Sequence, residues 1–190
     1  MRCVSSITVC ARNKHTPIGQ NDTSFFITGN NRGQTPIISL ILLFVSTSVS
    51  AEAITGFVTA ITDGDTIKLL DTNQTEHKIR IGGIDAPEKV QPFGSKSQAN
   101  MAKLAFNKNA VADCHKKSFD RIVCKVTVNG VDVGLQQVTD GMAWWYRKYA
   151  KGQSSEDRDL YEQAEMTAKL RRFGLWADTN PMPPWEWRRQ

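Results

Sequence analysis

The sequence predicts an α+β fold, a small five-stranded β-barrel carrying about three helices. Three observations point there. Short runs of β-branched and aromatic residues, separated by turn signals, fill residues 54–81 and 111–128. Helical patterns follow only the third and the fifth of these runs, so strands and helices do not alternate and a parallel sheet is not expected. The 190-residue chain is 40% hydrophobic and 23% charged, a composition suited to one ordinary globular domain behind a leader.

The leader is residues 1–53. Ile37 to Val45 is an apolar run broken only by Ser39, with Arg32 upstream and small residues from Ser46 to Ala53 downstream. That order is a secretory signal's: a positive charge, a short apolar core, a small-residue cleavage site at Val49-Ser50-Ala51 or Ala51-Glu52-Ala53. The run falls short of the roughly 20 residues a membrane-spanning helix needs. Export to the periplasm or medium is therefore expected, with membrane attachment only if the leader is retained; a buried strand is the plain alternative. The polar residues 1–36 are assigned no function. Without residues 1–53 the chain keeps 20 basic and 17 acidic residues, so its charge falls from +5 to +3. A mild excess of this kind suits a polyanionic partner but does not demand one, and where the charges sit matters more than their sum.

Residues 54–180 form the expected domain. Ile54 to Thr62 reads as a strand with Gly56 as a bulge, Asp63-Gly64-Asp65 as a turn, Thr66 to Leu70 as the second strand, Thr72 to Gln74 as a turn, and Glu76 to Ile81 as the third strand. Ile84 to Glu88 leaves the sheet at Pro87, which cannot donate to a ladder. Ser95 to Asn107 is helical in pattern, with Ser95 and Gln98 as a capping box. Val111 to Val128 reads as a hairpin centred near Phe119. Val133 to Asp140 is a short helix stopped by Gly141. Ser154 to Arg172 is the clearest helix, capped by Ser154, acidic at its start and basic at its end. The Pro- and Trp-rich tail, residues 181–190, reads as extended. Five strands with helices after the third and fifth suit a barrel of the OB type.

The hairpin carries a redox marker. Cys114 and Cys124 are equidistant from its centre, so a simple hairpin sets them opposite each other, close enough for a disulfide if they form a non-hydrogen-bonded pair. An oxidising compartment would preserve that bond. Two free buried thiols are the alternative.

Carboxylates carry the expected chemistry. Asp63 and Asp65 flank a tight turn, and Asp85 and Glu88 flank the exit of the third strand. A meander can bring both turns to one end of a barrel, where the acids would repel one another unless a cation joined them. Hard oxygen donors suit Ca²⁺ or Mg²⁺ better than zinc. Each motif alone is an ordinary turn; their recurrence at neighbouring strand ends points to a metal site. Arg80, in the third strand, and Arg121, beyond the hairpin turn, can each bind two phosphate oxygens, or else make surface ion pairs. His77 and His115 lack zinc or catalytic spacing, so a carboxylate is the natural base. Trp144 to Tyr149 interleaves aromatics with cations, a pattern that can stack bases, although one of the two tryptophans is expected to fill the core.

Taken in order, Ile61 to Lys68 (ITDGDTIK), Ile79-Arg80-Ile81 and Ile84 to Glu88 (IDAPE) resemble the signature of the thermonuclease, or staphylococcal nuclease-like, family. The resemblance runs from about Gly56 to Trp176. It implies an OB barrel with three helices and Ca²⁺-dependent cleavage of DNA and/or RNA by a monomer. It further implies that Asp65, Asp85 and the backbone carbonyl of Ala86 hold the ion, that Asp63 supports the metal loop, and that Glu88 is the general base. Arg80 and Arg121 would bind the phosphate, and Tyr146 and Tyr149 would line the nucleotide pocket. Two departures stand out. Ala86 occupies a position where the best-known member has Thr, and Phe119-Asp120-Arg121 replaces the usual Tyr-Gly-Arg. The second removes a phenolic contact to a terminal phosphate and sets a negative charge beside Arg121, so a changed end preference is expected. The rival expectation is a non-catalytic OB module that binds single strands.

Overall fold

The computed structural model describes residues 52–118 and 120–190. Leader residues 1–51, with the apolar core 37–45, and Phe119 lie outside the described residues, whereas positions 52 and 53 begin the first strand.

Three strands make the opening meander: β1 (Glu52–Ile61), β2 (Thr66–Asp71) and β3 (Glu76–Ile81). β1 also pairs with β5 (Asn109–Ser118), and β5 forms a hairpin with β6 (Arg121–Val128). The parallel pairing of β3 with β6, Ile79 to Ile81 against Ile122 to Cys124, closes five strands into a barrel. Two-residue strands extend this frame: β4 (Ile84–Asp85) pairs with β8 (Trp144–Trp145), and β7 (Val131–Asp132) pairs with β6. The barrel interior is filled by Val58, Ile67, Leu69, Ile79, Ile81 and Val126, the inward set of the alternating strands.

The helices pack outside. They are α1 (Gly94–Ala105), α2 (Val133–Thr139), α3 (Ser155–Leu170) and a single turn, α4 (Pro184–Trp187). Asp132 caps α2, accepting from the Gly134 and Leu135 amides at 2.9 and 3.2 Å, and Ser154 caps α3 by accepting from Asp157 N–H at 3.0 Å. No helix among the described residues is long and apolar enough to cross a membrane.

Four expectations are corrected. The bulge in β1 falls between Val58 and Ala60, not at Gly56; a side chain at Gly56 would instead run into the Leu70 carbonyl. Ser95 does not cap α1. Left-handed Phe93 precedes that helix with no side-chain cap, and Gln98 donates to the Ile61 and Thr62 carbonyls at 3.1 and 3.0 Å, tying α1 to the end of β1. Both Trp144 and Trp145 are buried, because Trp145 joins the hydrophobic core while Trp144, on the opposite face of the strand, meets the rings of Trp176 and Trp185 edge-on. The tail is not extended throughout: Pro184 starts α4, where its fixed φ already suits a first helical turn. Cys114 and Cys124 are paired in register and joined as a disulfide, with Cα atoms 4.0 Å apart. A bulge between Cys114 and Lys116 follows at once, and His115 and Lys116 both line the cleft described next.

Candidate active site

The strand register explains why two distant motifs meet. Thr66 pairs with Arg80, and Ile81 N–H donates to the Asp65 carbonyl at 2.8 Å. The start of β2 and the end of β3 are therefore one edge of the barrel. Asp63 and Asp65 sit there on the β1–β2 turn, where the Asp63 carboxylate accepts from Asp65 N–H at 3.0 Å. Gly64 has no room for a side chain: a Cβ would strike the Ser97 hydroxyl and lie 2.7 Å from the Ala86 Cβ. Helices α1 and α2 thus press on the turn, and Gln137 of α2 donates to the Gly64 carbonyl at 2.7 Å.

Two carboxylates are deeply buried, Asp65 at 5% exposure and Asp85 at 1%. Asp65 accepts from Thr66 Oγ1 at 3.1 Å and Ala86 N–H at 2.8 Å, and Arg80 Nη1 lies 3.0 Å away. Arg80 Nη2 reaches Asp85 Oδ1 at 3.0 Å, so one guanidinium bridges both acids. Burial pushes the Asp65 carboxyl up to about 7; Arg80 and the Ala86 amide oppose the rise, while Asp63 and Asp85 add to it.

A further guanidinium arrives from the tail. Arg188 Nη2 donates to Asp85 Oδ2 at 2.7 Å and Arg188 Nη1 to Glu88 Oε1 at 2.6 Å. Hydrogen bonding to Asp85, against burial and with Glu88 assisting, holds Arg188 firmly protonated. Among the described residues, no three acidic, His or Cys side chains converge on an ion site as the chain stands; Asp85 is instead shared by Arg80 and Arg188. The donor chemistry nonetheless fits a hard divalent cation. Crowded oxygen ligands, one already reluctant to ionise, are what such an ion stabilises.

One cleft of about 1070 Å³ gathers Asp63, Asp65, Arg80, Asp85, Ala86, Glu88, Arg121, Tyr146 and Tyr149. All nine sequence-predicted site residues therefore line the same space. Arg121 begins β6, and its neighbour Asp120 gives its charge mainly to Lys78, 2.7 Å away, while lying 3.9 Å from Arg121 Nε. Tyr146 is fixed by its N–H to the Gly83 carbonyl at 2.8 Å; it stacks on Trp185 with ring centroids 5.2 Å apart and meets Tyr149 edge-on at 5.0 Å. Lys116 and Lys148 lie over the Tyr149 ring. This is a wall of aromatic faces and cations beside a carboxylate cluster. It can stack a base, hold a phosphate and bind an ion within one cleft. Sequence reasoning missed Arg188 and Gln137. Arg188 carries a weak signal, a basic pair in an aromatic tail; Gln137 carries none.

A family model described as staphylococcal nuclease homologue matches residues 78–178. The chain is 39% identical to an uncharacterized endonuclease of Haemophilus influenzae, an alignment covering 81% of this chain and 84% of that one. It is 34% identical to the micrococcal nuclease of Shigella flexneri, covering 80% and 90%. It is also 33% identical to an uncharacterized endonuclease of Escherichia coli, covering 80% and 95%.

Proposed function

The chain belongs to the staphylococcal nuclease homologue family, and from that premise we propose how this nucleic-acid hydrolase works: as an exported, Ca²⁺-dependent nuclease that cuts phosphodiesters of DNA and/or RNA by in-line attack of water. The observation that carries the reading is the convergence of Asp65, Asp85, Glu88, Arg80 and Arg121 on one cleft beside Tyr146 and Tyr149.

Asp65, Asp85 and the Ala86 carbonyl would hold the ion, with Asp63 bracing their loop. A bound Ca²⁺ would supply positive charge to the phosphoryl oxygens. Glu88, at the rim of the cleft, is the carboxylate that accepts a proton from the attacking water. Arg121 binds a phosphate oxygen, and Arg80, once its two carboxylate partners are neutralised, binds another and opposes the charge that grows as water attacks. Tyr146 and Tyr149 stack the base. Water displaces the leaving oxygen directly, so no covalent enzyme intermediate is required. The leader and the Cys114–Cys124 disulfide support an oxidising, extracytoplasmic location. A monomer supplies every residue named.

Digestion of a plasmid and of an RNA with Ca²⁺, and again after chelation, tests the reading. Cleavage should stop with chelator and fall on the order of 100-fold or more in Glu88→Gln. Chelator-resistant cleavage would remove the ion from the mechanism, and a Glu88→Gln rate within a few-fold of wild type would remove the base assignment.

A further inference from the structure

The tail is anchored by contacts that do not involve the site's acids. Pro184 is buried, Trp185 stacks on Tyr146 and lies edge-on to Trp144 at 6.3 Å, and Gln91 donates to the Met182 carbonyl at 2.6 Å. Gln91 also accepts from Glu88 N–H at 3.0 Å, so the tail and the Glu88 loop share one side chain. These anchors hold α4 over the cleft and fix the Cα of Arg188 beside it.

The guanidinium of Arg188 is held differently. It spans Asp85 and Glu88, yet its side chain is 45% exposed, against 17% for Arg80. An ion that takes Asp85 must displace a guanidinium. Arg80 rises from a barrel strand and is also committed to Asp65 and to the Ile81 carbonyl. Arg188 sits at the end of a long stem with open space beside it, so Arg188 is the one that yields. Its backbone stays anchored, so the released charge remains in a cleft that also holds Arg121. A forked cation there matches a phosphodiester oxygen pair.

We propose that Arg188 is a third phosphate-binding arginine of this site, parked on Asp85 and Glu88 until an ion takes Asp85 and then turned to the substrate backbone. The proposal rests on the nuclease reading above and adds a residue ten positions beyond the segment matched by the family model.

The test compares wild type with Arg188→Gln and Arg188→Lys. Calorimetric titration with Ca²⁺ alone reads the competition; kcat and KM on a single-stranded oligonucleotide at saturating Ca²⁺ read the phosphate contact. In Arg188→Gln, Ca²⁺ should bind roughly 5-fold or more tightly, because a competing cation is gone. Its kcat/KM should fall roughly 10- to 100-fold. Arg188→Lys should show the same two changes to a smaller degree, since an ammonium cannot span two acids with a planar fork. If the Gln variant does not fold, the Lys variant carries both readings. Tighter Ca²⁺ with equal or faster cleavage would make Arg188 a mere plug and overturn the proposal. Slower cleavage with unchanged Ca²⁺ affinity, or no change in either, would overturn it too. Asp85→Asn and Glu88→Gln are run alongside. If those retain wild-type cleavage, the nuclease-site reading itself fails; if they lose it while Arg188→Gln matches wild type, only the role of Arg188 fails.

Discussion

The side-chain amide of Gln137 lies 2.7 Å from the carbonyl oxygen of Gly64, across 73 residues of sequence. Gln137 is fully buried, and its side-chain oxygen accepts from Asn100 Nδ2 at 2.7 Å. It belongs to no catalytic motif, yet it sets the height of the turn that presents Asp63 and Asp65. Replacing it with Met should leave the Gly64 carbonyl without its donor, at a cost of about 1–3 kcal/mol. Urea unfolding and the cleavage rate should both respond; an unchanged midpoint would show that the turn holds itself.

Asp120 stands next to Arg121 but is neutralised by Lys78. Lys78→Met should therefore free Asp120 to compete for Arg121 and raise KM for substrate several-fold at low salt, while Asp120→Asn should change KM little. The Lys78→Met difference should shrink with added salt, because these charges are partly exposed and surface ion pairs weaken as ionic strength rises. Equal KM values for the Lys78 variant and wild type across the salt series would refute the arrangement.

Tyr161 donates its hydroxyl to Asp132, 3.0 Å from each carboxylate oxygen, beneath the N-terminus of α2. Tyr161→Phe should cost about 1.5–3 kcal/mol, as for a buried hydrogen bond to a charged acceptor. Burial, then the Asp132 charge, push the Tyr161 pKa upward. With the folded value above the unfolded value of about 10, the contribution is complete below that pH and lost as pH rises toward the folded value. The gap in melting temperature between wild type and Tyr161→Phe should thus be constant near neutrality and narrow in strong alkali. A gap that widens with alkali would contradict the assignment.

The Cys114–Cys124 bond closes a loop with a sequence separation of 10. Replacing both cysteines with Ser should lower stability by about 2–3 kcal/mol on the chain-entropy account. The variant's melting temperature should be insensitive to reductant, whereas the wild type's should drop to meet it; a wild type indifferent to reductant would show that the bond is not formed in solution.

Much of this was legible from local pattern. Alternating β-branched residues located every barrel strand, Ser154 and its acidic turn marked α3, and the symmetry of Cys114 and Cys124 about the hairpin located their pairing. Asp63, Asp65, Asp85 and Glu88 stood out because carboxylates at successive strand ends repel. The cap of α1 was not legible, because Gln98 was taken up by the Ile61 and Thr62 carbonyls, a tertiary contact that no local motif announces. Arg188 was hidden for the same reason. It lies about a hundred residues from Asp85 and Glu88, and only the packing of Trp185 on Tyr146 brings it near.

The parallel seam between β3 and β6 joins Ile79–Ile81 to Ile122–Cys124, and Arg80 and Arg121 stand on its two sides. Local hairpins and meanders can form early and cheaply in folding, but this pairing, like that of β1 with β5, joins residues more than forty positions apart and bears a larger loop-closure entropy than the hairpins do. Until it zips, the two arginines have no common cleft and Asp65 has no enclosed edge to sit in. A half-folded chain is then harmless to nucleic acid by topology alone, and in a refolding experiment catalytic competence should emerge with the long-range pairings that close the barrel rather than with its local hairpins.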